Sequence, residues 1–191
     1  MKKIALFIDF ENLRLNFFER AYKEKKFRFD YNNCPEKVVE FCSALLDNNK
    51  EEIYRIFFYT AKPSNTHPKY TEIHNFFDKL EKLDHVALRQ GKLVARGKSP
   101  NITYVQKQVD MLLGLDIADV SIKHYADTVL LFGYDSDMAP ALKLARINGL
   151  QAEIVKFTDL TPKIEASLQK HCDRTREFKI EDIYKKVGIL S

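Results

Sequence analysis

Asp135-Ser136-Asp137 lies just past the apolar run Val129 to Phe132, and Asp9 ends another such run, Ile4 to Ile8, with Glu11 and Asn12 close behind. Where two parallel strands of an open α/β sheet are neighbours, the residues beyond their carboxyl ends converge on one crevice, the place where such folds bind ligands. Carboxylates gathered there repel each other unless a cation holds them. Hard oxygen donors of this kind suit Mg²⁺ or Mn²⁺, which accept a few carboxylates, keep waters and take phosphate oxygens as further ligands. The pattern points to metal-assisted phosphate chemistry.

A third source of acid is a long helical stretch carrying Lys107, Asp110 and Asp116. At helical spacing Lys107, Asp110 and Gly114 share a face, which presents a cation and a carboxylate together. Asp116 falls instead with Val109 and Leu113 on the apolar side, where a carboxylate needs metal-bound water, a backbone N–H or a basic side chain. Taken singly, Asp9, Asp135, Ser136 and Asp137 read better as helix caps. Acids after two apolar strands and on the intervening helix favour one shared site.

The elements that must position these residues alternate between short β-rich runs and longer helical ones, as in a parallel sheet flanked by helices. The spacing predicts strands over Ile4–Asp9, Ile53–Thr60, Val86–Gly91, Thr128–Phe132 and Ala152–Phe157. Helices are predicted over Leu13–Lys25, Glu36–Leu46, Pro68–Leu83, Tyr104–His124, Ala139–Asn148 and Pro162–Cys172. The expectation is a three-layer α/β/α sandwich around a mostly parallel five-stranded sheet. Pro35, Pro68 and Pro140 fall where a first helical turn tolerates a missing N–H, and Gly149 sits where a helix would end. Leu93 to Thr103 reads as a loop ahead of the longest helix. Residues 1–175 form the expected domain, and 176–191 a helical tail. Ile180, Ile183, Tyr184 and Val187 make that tail amphipathic, to pack on its own domain or against a second subunit in a homodimer.

At 191 residues, 45% hydrophobic and 30% charged, the chain can bury a core without staples. No stretch has the apolar length of a membrane helix, and Met1-Lys2-Lys3 runs straight into a strand, so the protein is read as cytoplasmic. Cys34, Cys42 and Cys172 have neither disulfide nor zinc spacing, and the histidines form no ligand set. There is no Gly-x-Ser-x-Gly elbow and no phosphate-loop motif. The net charge of +4 is mild, so local clusters must carry any argument about partners. Of three basic clusters, Arg89, Lys92, Arg96 and Lys98 are favoured for phosphate contact, because they precede the helix with Lys107 and Asp110. Tyr104 and Tyr134 are candidates to stack on unpaired bases.

Three blocks resemble the NYN domains of the LabA-like family, within the PIN-like nuclease superfamily. They are Phe7-Ile8-Asp9-Phe10-Glu11-Asn12, the run from Gln106 to Asp116 containing Lys107-Gln108-Val109-Asp110, and Asp135-Ser136-Asp137-Met138-Ala139-Pro140. The resemblance implies that Asp9, Asp110, Asp135 and Asp137 bind one or two Mg²⁺ or Mn²⁺ ions for cleavage of RNA, single-stranded RNA being favoured. Asn12, Asp116 and Ser136 would orient ligands, and Lys107, Arg96, Lys98 and Tyr134 would contact the nucleic acid. Two departures stand out: Gly133-Tyr134 replaces a usual Ser-Gly and places a ring beside the site, and Gln108 replaces a common glycine. The alternatives are a regulatory domain that binds RNA without turnover, and a haloacid dehalogenase-type phosphatase with Asp9 as nucleophile.

Overall fold

The computed structural model describes residues 1–65, 67–97, 101–161 and 164–190. From the amino end, β1 (Lys2–Asp9) leads into α1 (Phe10–Leu13), a π-turn over Arg14–Phe18 and α2 (Glu19–Lys25). Then come α3 (Pro35–Ser43), β2 (Glu51–Lys62), α4 (Tyr70–Leu80), β3 (Val86–Arg96), β4 (Thr103–Lys107) and α5 (Val109–Ile122). The chain continues through β5 (Thr128–Phe132), a 3-10 turn over Ser136–Met138, α6 (Ala139–Ile147), β6 (Gln151–Phe157), α7 (Ala166–Gln169), β7 (Arg174–Phe178) and α8 (Ile180–Lys186).

The strands form one sheet in the order β4-β3-β2-β1-β5-β6-β7, parallel except where β3 meets β4. Its centre is β1, whose residues Ile4 to Ile8 are all fully buried, the continuous apolar run of a strand covered on both faces. Successive strand side chains point to opposite faces, so neighbours on β2 identify the two outer layers. Phe58 meets Phe10 of α1, while the adjacent Tyr59 bonds to Asp116 of α5. Helices α1 to α4 therefore cover one face, together with α8, whose Tyr184 packs on Phe41 of α3; α5 and α6 cover the other. Sequence order reverses between β1 and β5, a topological switch point.

The α/β class and the mostly parallel sheet agree with the sequence reading, but the sheet has seven strands rather than five. The segment expected as a loop from Leu93 extends β3 to Arg96, and Thr103–Lys107 returns beside it as β4. This hairpin is largely exposed and held by backbone pairing, so it lacks the apolar periodicity by which buried strands are read. The other added strand, β7, edges the sheet beside β6. The helix expected from Tyr104 starts at Val109, because Gln108 takes a left-handed conformation (φ 72°) that breaks the chain direction there. Helix α4 begins at Tyr70, two residues past Pro68. The stretch expected to be helical from Pro162 retains only α7, and its first two residues lie outside the described ones. In the tail, Ile180, Ile183 and Tyr184 are buried in the main core, so its apolar face is covered by its own chain.

Candidate active site

Asp9 ends β1 and Gly133 follows the last residue of β5, with Ile8 paired to Phe132. A Cβ placed on Gly133 would stand 3.9 Å from Asp9 Cβ, so the two strand ends adjoin and deliver Asp9 and Asp135 to one crevice. Each acid also caps the helical turn that it precedes. The Glu11 and Asn12 backbone N–H groups donate to Asp9 Oδ1, each at 3.1 Å, and the Asp137 N–H donates to Asp135 Oδ1 at 2.9 Å. Capping thus fixes each carboxylate through one oxygen and leaves Oδ2 without a hydrogen-bonding partner among the described residues.

The third acid arrives from the opposite layer. Asp110 sits in the first turn of α5, which packs across β1, β2 and β3 and touches the 3-10 turn at Ser136–Met138. Its delivery depends on Gly91 of β3: a Cβ there would lie 2.3 Å from the Lys107 carbonyl oxygen and 2.9 Å from Val109 Cγ2. Glycine is required for this close approach of β3 to the β4–α5 joint. The sequence reading missed Gly91 as a positioning residue; a glycine at the end of a strand was its only signal.

The acids feel one another. Burial, the largest influence, and then the Asp110 charge outweigh the backbone N–H bonds and push the Asp9 carboxyl up to about 6. Asp110 is also raised, first by partial burial and then by the charges of Asp135 and Asp137. Among the described residues no cation pairs with any of these four carboxylates, and none of them forms with others a ready three-residue cage for a metal. Mg²⁺ and Mn²⁺ do not demand such a cage, since Mg²⁺ keeps several waters and is usually held by one or two carboxylates together with substrate phosphates. Oxygen-only donors, crowded and without a counter-charge, fit such an ion.

Other sequence-designated residues fall differently. Asp116 accepts from Arg89 Nε at 2.8 Å and from the Tyr59 hydroxyl at 2.9 Å, so a basic side chain already balances it. That pairing also removes Arg89 from the cluster favoured for phosphate contact; no local pattern links residues 27 positions apart. Tyr134 is buried with its ring edge-on to Phe17 at 5.4 Å, so it neither stacks on a base nor narrows the crevice. Lys107 does not share a helix face with Asp110; it ends β4, opposite Lys92 of β3. Arg96 is exposed at the far end of the same hairpin, and Lys98 lies outside the described residues. Asn12 Oδ1 accepts from Asn16 Nδ2 at 2.7 Å, and Ser136 is exposed between Asp135 and Asp137.

A family model for the NYN domain matches residues 3–180. The chain belongs to the NYN domain family. This family is part of the PIN-like nuclease superfamily, whose members generally act on RNA and typically use divalent metals. Among solved structures, a protein of unknown function from Vibrio parahaemolyticus is 15% identical, with 93% of each chain covered and a TM-score of 0.55. It shares the fold. A pyrazinamidase/nicotinamidase from Streptococcus mutans, 14% identical over 97% of each chain, has a TM-score of only 0.35 and bears on nothing further. No curated protein matches the NYN chain significantly. Membership in the NYN family displaces the phosphatase reading, and Glu11, the second acid which that reading needed, is bound to Arg14.

Proposed function

We propose that this NYN domain is a ribonuclease of the LabA-like kind that hydrolyses single-stranded RNA using Mg²⁺ or Mn²⁺. The observation that carries the reading is the gathering of Asp9, Asp110, Asp135 and Asp137 at the switch point with no paired cation among the described residues, the carboxyls of Asp9 and Asp110 being raised by burial and by neighbouring acids. Groups so perturbed in a crevice are candidates for function. The four carboxylates would hold the ion, which when bound supplies charge neutralisation at the phosphate and activates water for attack.

The chain's own residues do the positioning. The caps fix Asp9 and Asp135, Gly91 seats the start of α5 with Asp110, and Asn12 and Ser136 border the acids as orienting groups. Lys92 and Lys107 support a phosphate-binding role for the hairpin. They face each other across β3 and β4, both exposed, an arrangement of like charges that destabilises a bare sheet and that an anionic chain would neutralise. Arg96 extends the same basic ribbon. Among the described residues no helix is long and apolar enough to cross a membrane, and a cytoplasmic setting is part of the proposal.

The test is cleavage of single-stranded RNA by the purified chain with Mg²⁺ or Mn²⁺ and with chelator. Activity should require the metal. Asp135→Asn, which keeps a capping side chain, should lower it by roughly a hundred- to a thousandfold, equivalent to about 3–4 kcal/mol, with thermal unfolding in chelator no lower than that of the wild type. RNA left whole by the wild type in both metals overturns the proposal.

A further inference from the structure

A cleft of about 570 Å³ opens beside the acidic crevice, between α1, α4 and the β3–β4 hairpin, and the site described above makes no use of it. Its floor is aromatic: the Phe10 ring lies 5.3 Å from that of Phe76 and 5.0 Å from that of Phe77. On one wall Arg14 donates to Glu11 through Nε at 3.0 Å and through a terminal nitrogen at 2.5 Å, and also to Glu19. Two carboxylates thus fix the guanidinium plane and more than balance its charge. On the opposite wall the exposed Tyr104 ring of β4 meets His67 edge-on at 4.5 Å. The amides of Asn32 and Gln106 add neutral hydrogen-bonding groups along the lining.

This chemistry offers a phosphate little, because Arg14 is already bound by Glu11 and Glu19, and the one further lysine of the lining, Lys69, is accompanied there by Glu72. It suits a flat, uncharged heteroaromatic group that stacks on rings or on a held guanidinium plane and pairs its edge with amides. The volume falls within the range of small-ligand pockets. Phe10 and Glu11 directly follow Asp9, so cleft and crevice are continuous along the chain. A strand with a phosphate at the acids would therefore have the base of an adjoining nucleotide on the side where Phe10 and Glu11 lead into the cleft.

We infer that the cleft receives an unstacked nucleobase flanking the scissile phosphate, with Tyr104 as its stacking partner, and so selects single-stranded over paired RNA. The inference rests on the ribonuclease reading and adds a recognition site to it. In a duplex the base is held in its stack and cannot enter.

The experiment compares steady-state cleavage of a single-stranded RNA by wild type, Tyr104→Ala and Tyr104→Phe in Mn²⁺. The same RNA is also made with one abasic nucleotide at each position flanking the cut. A base stacked on an aromatic side chain contributes about 1–3 kcal/mol, so Tyr104→Ala should raise KM roughly five- to hundredfold while kcat changes little, and Tyr104→Phe should restore it. On the RNA lacking the recognised base, wild type should lose the same factor and Tyr104→Ala should lose nothing more. Equal KM for wild type and Tyr104→Ala, or an equal loss by both on every abasic RNA, overturns the base-binding cleft while leaving the nuclease reading intact. If the wild type cuts none of these RNAs, both readings fall together.

Discussion

Charged side chains gather at both ends of the central sheet, and the two groups are built in opposite ways. At the carboxyl ends of β1 and β5, Asp110 acts on Asp9 and is itself acted on by Asp135 and Asp137, with no described cation among them. At the amino-terminal end, Arg176 of β7 is 7% exposed and grips both oxygens of Glu51, at 2.7 and 2.9 Å. It also donates to the Leu45 carbonyl at 3.3 Å and to Glu153, which is 2% exposed and takes a second bond from Arg174 at 3.0 Å. Buried charge is tolerated in a structural role when every partner is present. Acids crowded without counter-charge lower stability, and this is the arrangement expected where a ligand completes the site.

Neutralising one charge should therefore have opposite signs at the two ends. The larger effect is at the satisfied end. Arg176→Met leaves Glu51 without its bidentate partner and Glu153 with only Arg174, and should destabilise the protein by about 3–5 kcal/mol in urea unfolding. A loss below about 1 kcal/mol would show that this network is not a clamp on β7.

At the unsatisfied end, Asp9→Asn should stabilise the metal-free protein, since asparagine retains the cap. The Asp9 carboxyl titrates near 6 when folded against 3.8 ordinarily, so the stability it contributes is complete below about pH 4 and is lost as pH rises through 6. The variant should exceed wild type by about 1–3 kcal/mol at pH 7.5 in chelator and converge with it near pH 4. Adding Mn²⁺ should then raise the melting temperature of wild type more than that of the variant. Melting curves at the two pH values check this; a pH-independent difference sinks the account of Asp9.

The smallest expected effect concerns the joint that brings Asp110 to its neighbours. Gln108 occupies a left-handed conformation costing about 1–2 kcal/mol for a residue with a side chain, whereas glycine adopts it freely but loses about 0.5–1 kcal/mol of chain entropy. Gln108→Gly should thus stabilise by at most about 1.5 kcal/mol and leave cleavage unchanged. A clear destabilisation in urea would mean that the glutamine side chain holds the joint.

Strands β1 and β5 were legible because they are buried on both faces and contain unbroken apolar runs, and α6 because Pro140 and Gly149 bracket it. The hairpin of β3 and β4 was not legible. Thr103 to Lys107 is largely exposed and owes its structure to backbone bonds with Leu93 and its neighbours, which leave no pattern along the chain. The start of α5 was misread for a related reason: the break at Gln108 uses neither glycine nor proline, the residues by which such breaks are recognised.

The order of residues along the chain was enough to deliver acids past two apolar strands, because alternation and run length encode burial locally. Which of those acids are balanced and which are not was decided only by folding. Asp110 and Asp116 lie on the same helix, yet only Asp116 meets Arg89 and Tyr59, since helix rotation and strand register aim one carboxylate at a basic partner and the other at more carboxylates. Charge balance depends on distances between segments far apart in sequence, and those distances exist only in the packed molecule.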